Sequence, residues 1–166
     1  MVRSLPKGDD WVAVRDEVFD LASKMYLHYF RRRMARHRLL RRKLITWLRF
    51  IVQNQPSNNE AWVLLGNTLT RSGMRAHCYR SALRANPRDA EAHGELARLY
   101  ARHADRRFAT HFDRALRFCR RTLVEDDILS ALVEAATAAK DQRRLQLAVQ
   151  TGRRRFPKSP MFRRVE

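Results

Sequence analysis

Apolar residues recur along most of the chain at intervals of three and four, which is the spacing of one face of an α-helix. The first such stretch runs from Trp11 to Tyr29, behind Asp9 or Asp10 as the N-cap residue. A second stretch runs from Leu40 to Val52 and ends before Pro56. The chain has no Asn-Gly or Asp-Gly hairpin turn and no long alternation of period two. The pattern therefore predicts an all-α fold.

One short pattern of large and small residues occurs twice, and a weaker copy follows. The copies are Trp62-x-x-Leu65-Gly66-x-x-Leu69, His93-x-x-Leu96-Ala97-x-x-Tyr100 and Leu129-x-x-Leu132-Val133-x-x-Ala136. The second begins 31 residues after the first, and the third 36 residues after the second. A small residue beside large ones lets a second helix lie close, with Trp62 filling the gap between the helices. A period in the low thirties indicates a helical repeat array.

This repeat resembles the tetratricopeptide repeat (TPR) family over residues 57–158. The likeness is strongest from Asn59 to Asn67, and Ala82-x-x-x-x-Pro87 and Gly152-x-x-x-x-Pro157 share the terminal proline of the family. The resemblance implies a right-handed α-solenoid of helical hairpins that binds other proteins and does no chemistry. The alternative is an irregular helical bundle whose periodicity arose by chance.

The resemblance divides the chain into three parts. Residues 1–55 are expected to form a divergent helix pair with an Arg-rich turn, 56–158 the TPR-like repeats, and 159–166 a basic C-terminal tail. The second helix of the first repeat is expected to be short, because only Met74 to His77 separate Gly73 from Cys78. The tail is expected to be too short to cover the last helix pair. Either the outer face of that pair is polar enough, or another protein covers it.

Positive charge is concentrated in two segments of a chain with net charge +18. Residues 31–43 carry eight basic residues and no acid, and residues 153–164 carry six and no acid. The candidate basic patch is Arg31, Arg32, Arg33, Arg36, Arg38, Arg41, Arg42, Lys43, Arg153, Arg154 and Arg155. It could bind an acidic protein surface, contact nucleic-acid phosphates beside His37 or Tyr29, or simply be solvated. Membrane contact has the least support, because residues 31–38 form no apolar face.

Polar residues recur on the first helices of the repeats, which line a concave groove in the TPR family. Asn67 and Arg71 lie one helical turn apart, and Arg98 and Arg102 repeat this arrangement 31 residues later. We expect the four to converge on one surface and to bind carboxylate or phosphate, with no internal carboxylate saturating all of them. A solvated polar face is the alternative.

Other first-helix positions are expected to be exposed in the same groove: Glu60, Val63 and Thr70 in the first copy, and Glu91, Gly94 and Ala101 in the second. Val63 stands where chaperone-binding relatives carry a clamp lysine. That departure counts against the binding of chaperone tails.

Residues capable of catalysis or metal binding lack the spacing that such sites need. The six histidines are never three or four residues apart, and His93 stands at a packing position. The acidic run Glu125-Asp126-Asp127 is explained as the start of a helix. Cys78 and Cys119 are expected to be buried thiols in a reducing compartment. We expect no enzymatic activity, no cofactor and no metal.

Together these features predict a protein–protein interaction adaptor or assembly subunit that binds an acidic partner through a TPR groove and Arg-rich patches. The alternative is an accessory protein that binds RNA or ribonucleoprotein through the same patches. A cytoplasmic location is expected, since the longest apolar stretch, Leu44 to Val52, is interrupted by Arg49 and is far shorter than the ~20 residues of a membrane span.

Overall fold

Helices account for all the regular secondary structure in the described part of the chain. The computed structural model describes residues 19–22, 24, 38–120, 125–159 and 162. Residues 19–22 and 24 are helical. The remaining helices are α1 (Arg38–Asn54), α2 (Asn59–Thr68), α3 (Ser72–Ala85), α4 (Ala90–Arg102), α5 (Arg107–Phe118), α6 (Glu125–Ala138) and α7 (Gln142–Arg155). The predicted all-α class is confirmed, and the right-handed TPR-like solenoid stays a prediction.

Helices that follow one another in sequence pack as neighbours within each of two units, Met1–Ala85 and Asn86–Glu166. In the first unit α2 packs against α1 and against α3. In the second unit α4 packs against α5 and α6, and α6 also contacts α5 and α7. The boundary between the units falls inside the predicted repeat region, between α3 and α4.

Three helices begin at a residue whose side chain accepts a hydrogen bond from the backbone three positions on. Asn58 Oδ1 accepts from the Ala61 amide at 2.9 Å, and Asp89 Oδ1 accepts from the Ala92 amide at 2.8 Å. Asp141 caps α7 in the same way, at 3.0 Å from the Arg144 amide. Each cap stabilises its helix by about 1 kcal/mol. Helix α4 therefore begins at a capped residue two positions after Pro87.

The short helix of the first repeat is α2 and not α3. Helix α3 has 14 residues, as α6 and α7 do, whereas α2 has only 10. Leu69 leaves the helical conformation with φ −78° and ψ 154°, and α3 begins at Ser72. The prediction of a short second helix is wrong because the turn lies nearer the N-terminus than expected, so that α2 is short and α3 has its full length.

The core of the first unit contains Tyr79, whose ring lies against Gly66. A Cβ atom added at Gly66 would be 2.5 Å from Tyr79 Cε1. The Tyr79 hydroxyl donates to Asn67 Oδ1 at 2.7 Å and accepts from Arg75 Nη2 at 3.1 Å. Trp62 is only partly buried, and its Nε1 donates to the Pro56 carbonyl at 2.9 Å. Tyr79, rather than Trp62, is the aromatic residue that uses the small position of α2.

The C-terminal tail places one aromatic residue in the core of the second unit. Phe162 is 1% exposed, and a Cβ added at Gly152 would be 2.4 Å from its Cδ1. The Phe156 ring stacks on it at a centroid distance of 6.4 Å, and Arg153 Nε donates to the Phe162 carbonyl at 2.8 Å. The Ser159 amide donates to the Phe156 carbonyl at 3.0 Å, which turns the chain back toward α7. The prediction that the tail is too short to cover α7 is wrong at this point.

None of the described helices is both long enough and apolar enough to cross a bilayer.

Candidate binding surfaces

A network of four charged side chains joins α4 to α6. Arg98 Nη2 donates to Glu95 Oε2 at 2.6 Å, and its Nη1 donates to Glu134 Oε2 at 3.2 Å. Arg102 Nη2 lies 3.7 Å from the same oxygen of Glu134. Burial lowers the pKa of Arg98, but Glu95 and Glu134 more than compensate, and the pKa is raised above its ordinary value. Arg98 therefore stays charged in a place that is largely closed to water.

The two arginines of this network differ in how firmly they are held. The Arg98 side chain is 23% exposed and binds two carboxylates. Arg102 is 54% exposed and reaches Glu134 only at the longer distance. Two arginines face two glutamates, so the predicted groove strip is close to neutral in this unit. Arg102 is the member that can exchange its partner at little cost, because exposed ion pairs contribute only about 0–1 kcal/mol.

The other predicted groove residues, Asn67 and Arg71, belong to the first unit. Asn67 Oδ1 accepts the hydroxyl hydrogen of Tyr79, so it helps to hold that ring in place. Arg71 is exposed and makes no ion pair with any described residue. Because the two pairs lie in different units, the convergence of Asn67, Arg71, Arg98 and Arg102 on one surface stays a prediction.

Three first-helix positions expected in the groove, Val63, Gly94 and Ala101, are buried. Val63 is 3% exposed. Gly94 is also buried, and a Cβ added there would lie 3.6 Å from Ile128 Cγ2 of α6. The expectation of exposure is wrong at these positions, and at Gly94 the reason is that the inner face of α4 packs against the neighbouring first helix, α6.

The N-terminal part of the basic patch is only partly within the described residues. Arg31, Arg32, Arg33 and Arg36 lie outside them, as does the side chain of Arg38. Arg41 Nε donates to the Thr68 carbonyl at 2.9 Å and so satisfies a terminal carbonyl of α2. Arg42 and Lys43 are exposed. Arg41 has a structural role, and among the described side chains of this part of the patch Arg42 and Lys43 face solvent.

The C-terminal part of the basic patch also contains structural arginines. Arg155 forms an ion pair with Glu125 at the start of α6, and its Nη1 lies 3.9 Å from Cys119 Sγ. Burial raises the pKa of the Cys119 thiol, an effect that the Arg155 charge partly opposes. Arg153 binds the Phe162 carbonyl. Arg154 is exposed and makes no ion pair with a described residue.

The predicted packing role of His93 is confirmed, and it includes a hydrogen bond that the sequence pattern did not suggest. His93 is 1% exposed, and its Nδ1 lies 2.8 Å from His111 Nδ1. Its Nε2 must donate to the Pro87 carbonyl at 3.2 Å, since a carbonyl can only accept. His93 Nδ1 is then the acceptor and His111 the donor. Burial, the His93 ring and nearby arginines lower the pKa of His111 to about 4.

The predicted burial of the cysteines is confirmed, since Cys78 and Cys119 are both buried free thiols. Burial raises the pKa of Cys78 to about 11. Glu125, Asp126 and Asp127 occupy the first turn of α6, as predicted. Within residues 38–120 and 125–159, no group of three His, Cys, Asp or Glu side chains is placed to hold a metal ion.

Comparison with known proteins leaves the family open. No protein-family model matches the chain, and no curated protein matches it. The TPR resemblance therefore rests on the repeated residues themselves.

Proposed function

We propose that the protein is a non-enzymatic adaptor whose first helices form the groove of a TPR-like solenoid and bind an acidic segment of a partner protein. The observation that carries the proposal is Arg102, which is half exposed beside Glu134 and the tight pair of Arg98 and Glu95. Arg71 provides a second exposed guanidinium on the other unit.

The packing of α4 against α6 supports the helical arrangement in this proposal. In a hairpin array, the first helix of one repeat lies beside the first helix of the next. Gly94 lies at this helix–helix contact, since a Cβ added there would be 3.6 Å from Ile128 Cγ2, an ordinary packing distance. The outer residues of the two helices then share one side of the unit.

The charge network supports the choice of an acidic ligand. If the contact between Arg98 and Glu134 breaks, Arg98 still has its ion pair with Glu95 at 2.6 Å. The buried charge of Arg98 therefore remains compensated when the network rearranges. Arg102 can then leave Glu134 and take a carboxylate of the partner. A hydrogen bond to a charged group contributes about 1.5–3 kcal/mol, which exceeds the value of the exposed pair that it replaces.

The alternative function, RNA binding through the basic patches, has fewer arginines available to it than the sequence suggested. Arg41, Arg153 and Arg155 hold parts of the fold together. Arg42 and Arg154 are exposed.

The test is binding of a fluorescent glutamate-rich peptide, with a peptide carrying glutamine at the same positions as the control ligand. We expect Arg71→Gln with Arg102→Gln to weaken binding at least tenfold, since each substitution removes about 1.5 kcal/mol or more. Arg98 is left intact, because its removal would take an ion-pair partner from the largely buried Glu95. Two exposed arginines of α3, Arg80→Gln with Arg84→Gln, are the matched control variant.

Each outcome of this experiment separates the two functions. Equal binding of the two peptides, or equal losses in the groove and control variants, would contradict the proposal. A pull-down from native lysate, repeated with nuclease, addresses the alternative. Partners that disappear after nuclease treatment, together with absent binding of the glutamate peptide, would favour RNA.

A further inference from the structure

Unpaired positive charge is concentrated on the outer sides of α5 and α7, the second helices of two successive hairpins. The two helices contain eight arginines and one acid, Asp113. Arg107 pairs with Asp105, and Arg155 pairs with Glu125. The second-helix face consists of the four exposed arginines that make no ion pair within the described residues: Arg114, Arg117, Arg143 and Arg154.

The single acid of these helices is already neutralised. Asp113 of α5 accepts two hydrogen bonds from Arg144 of α7, at 3.0 Å from Nε and 2.9 Å from Nη2. The Arg144 guanidinium also lies 5.8 Å from the Phe108 ring centroid and donates to Asp141. The second-helix face therefore has no carboxylate of its own left to compensate its arginines.

The same ion pair makes the arginines of the two helices parts of one surface. A bidentate contact links α5 to α7, and both helices pack against α6. Arg114 and Arg117 follow Asp113 by one and four positions, and Arg143 directly precedes Arg144. Because these positions turn outward from the buried residues of each helix, the arginines lie on the solvent side of the joined pair.

We propose that the second-helix face binds the phosphodiester backbone of double-helical nucleic acid. Unpaired guanidinium groups are suited to phosphate, which they can bind through two parallel hydrogen bonds. The exposed Thr110, Gln146 and Gln150 add neutral donors on the same two helices. This surface is separate from the first-helix groove, so the inference does not rest on the proposed function.

Other occupants fit the surface less well. The second-helix face has one exposed large apolar residue, Leu147, which is too little for the apolar core of a protein interface or for membrane insertion. No aromatic side chain is exposed on the described residues of α5 or α7, so bases of a single strand would find no stacking platform. Double-stranded phosphate needs neither feature.

The experiment measures binding of a short RNA duplex and of the DNA duplex of the same sequence, as a function of salt. In the variant Arg117→Gln, Arg143→Gln, Arg154→Gln, we expect affinity to fall at least tenfold at about 0.1 M salt. The slope of log K against log salt should fall by about 0.9 for each lost phosphate contact. The control variant Arg49→Gln, Arg80→Gln, Arg84→Gln loses the same charge from exposed positions of the first unit and should keep most of its affinity.

Several results would overturn the inference. These are absence of duplex binding by the unmodified protein, equal losses in the two triple variants, or tighter binding of the single strand than of either duplex. Binding of a glutamate-rich peptide or an anionic vesicle that depends on Arg117, Arg143 and Arg154, without duplex binding, would assign the face to another partner. The groove variant Arg71→Gln, Arg102→Gln should bind duplex normally, so failure of the proposed function leaves this test intact.

Discussion

The contact between Gly66 and Tyr79 gives the sharpest test of the packing in the first unit. We predict that Gly66→Ala destabilises this unit although alanine is the better helix former. The added Cβ would lie 2.5 Å from Tyr79 Cε1 and 2.9 Å from Cδ1. Carbon atoms in favourable contact are about 3.5–4.0 Å apart, so the ring or α2 has to move by about 1 Å.

The magnitude follows from what prevents that movement. The Tyr79 ring is fully buried, and its hydroxyl is held by Asn67 and Arg75. Overpacking of this kind costs about 1–3 kcal/mol, and loss of either hydrogen bond adds about 1 kcal/mol. Replacing a helical glycine with alanine by itself stabilises the helix by about 1 kcal/mol. We therefore expect a net loss of about 1–3 kcal/mol.

Tryptophan fluorescence during urea unfolding is the assay, since the three tryptophans, at positions 11, 47 and 62, all precede Ala85. Gly73→Ala is the matched control, because nothing lies within 4 Å of a Cβ added there. It should be neutral or stabilising. In a Tyr79→Leu background, which removes Cε1 and Cζ, Gly66→Ala should cost less than it does in the unmodified protein.

Two outcomes would refute this reasoning. If Gly66→Ala stabilises the unit as much as Gly73→Ala does, Tyr79 does not occupy the space beside α2. If the cost of Gly66→Ala is the same with tyrosine and with leucine at position 79, the strain arises elsewhere.

Three further predictions concern the other contacts. Phe162→Ala should cost the second unit about 3 kcal/mol in a circular dichroism melt, whereas exposed Lys158→Ala should change little; equal effects would remove the tail from the core. The free energy of unfolding should fall by up to about 3 kcal/mol as the pH falls from about 6.5 to about 4, because His111 binds a proton in the unfolded chain at a higher pH than in the folded protein. His111→Gln should flatten this pH dependence, and an unchanged profile would exclude His111 as its cause. Trp62→Ala should lower the free energy of unfolding by about 1–2 kcal/mol, less than the loss of a fully buried tryptophan would. A loss above about 3 kcal/mol would show that the Trp62 ring lies in the core.

The sequence by itself determined the helical class and several of the helix ends, since these depend on local chemistry. Asp89 after Pro87 marks the start of α4 because a short acceptor side chain can bind a free backbone amide. Ile51 and Pro56 bracket the end of α1 because proline cannot continue a helix. The period of the apolar residues also identified His93 and Leu129 as buried. The length of α2 was missed, because the turn after Thr68 carries no proline or glycine to mark it.

Only the tertiary structure decided which arginines are structural and which are exposed to a partner. Arg154 and Arg155 are neighbours of identical chemistry, yet Arg155 pairs with Glu125 while Arg154 faces solvent. Arg144 finds Asp113 31 residues away. Helical periodicity gives the side of a helix on which a residue lies, but not the residue that meets it from another helix. These contacts between helices set the net charge of each face, because a carboxylate neutralises an arginine wherever packing brings the two together.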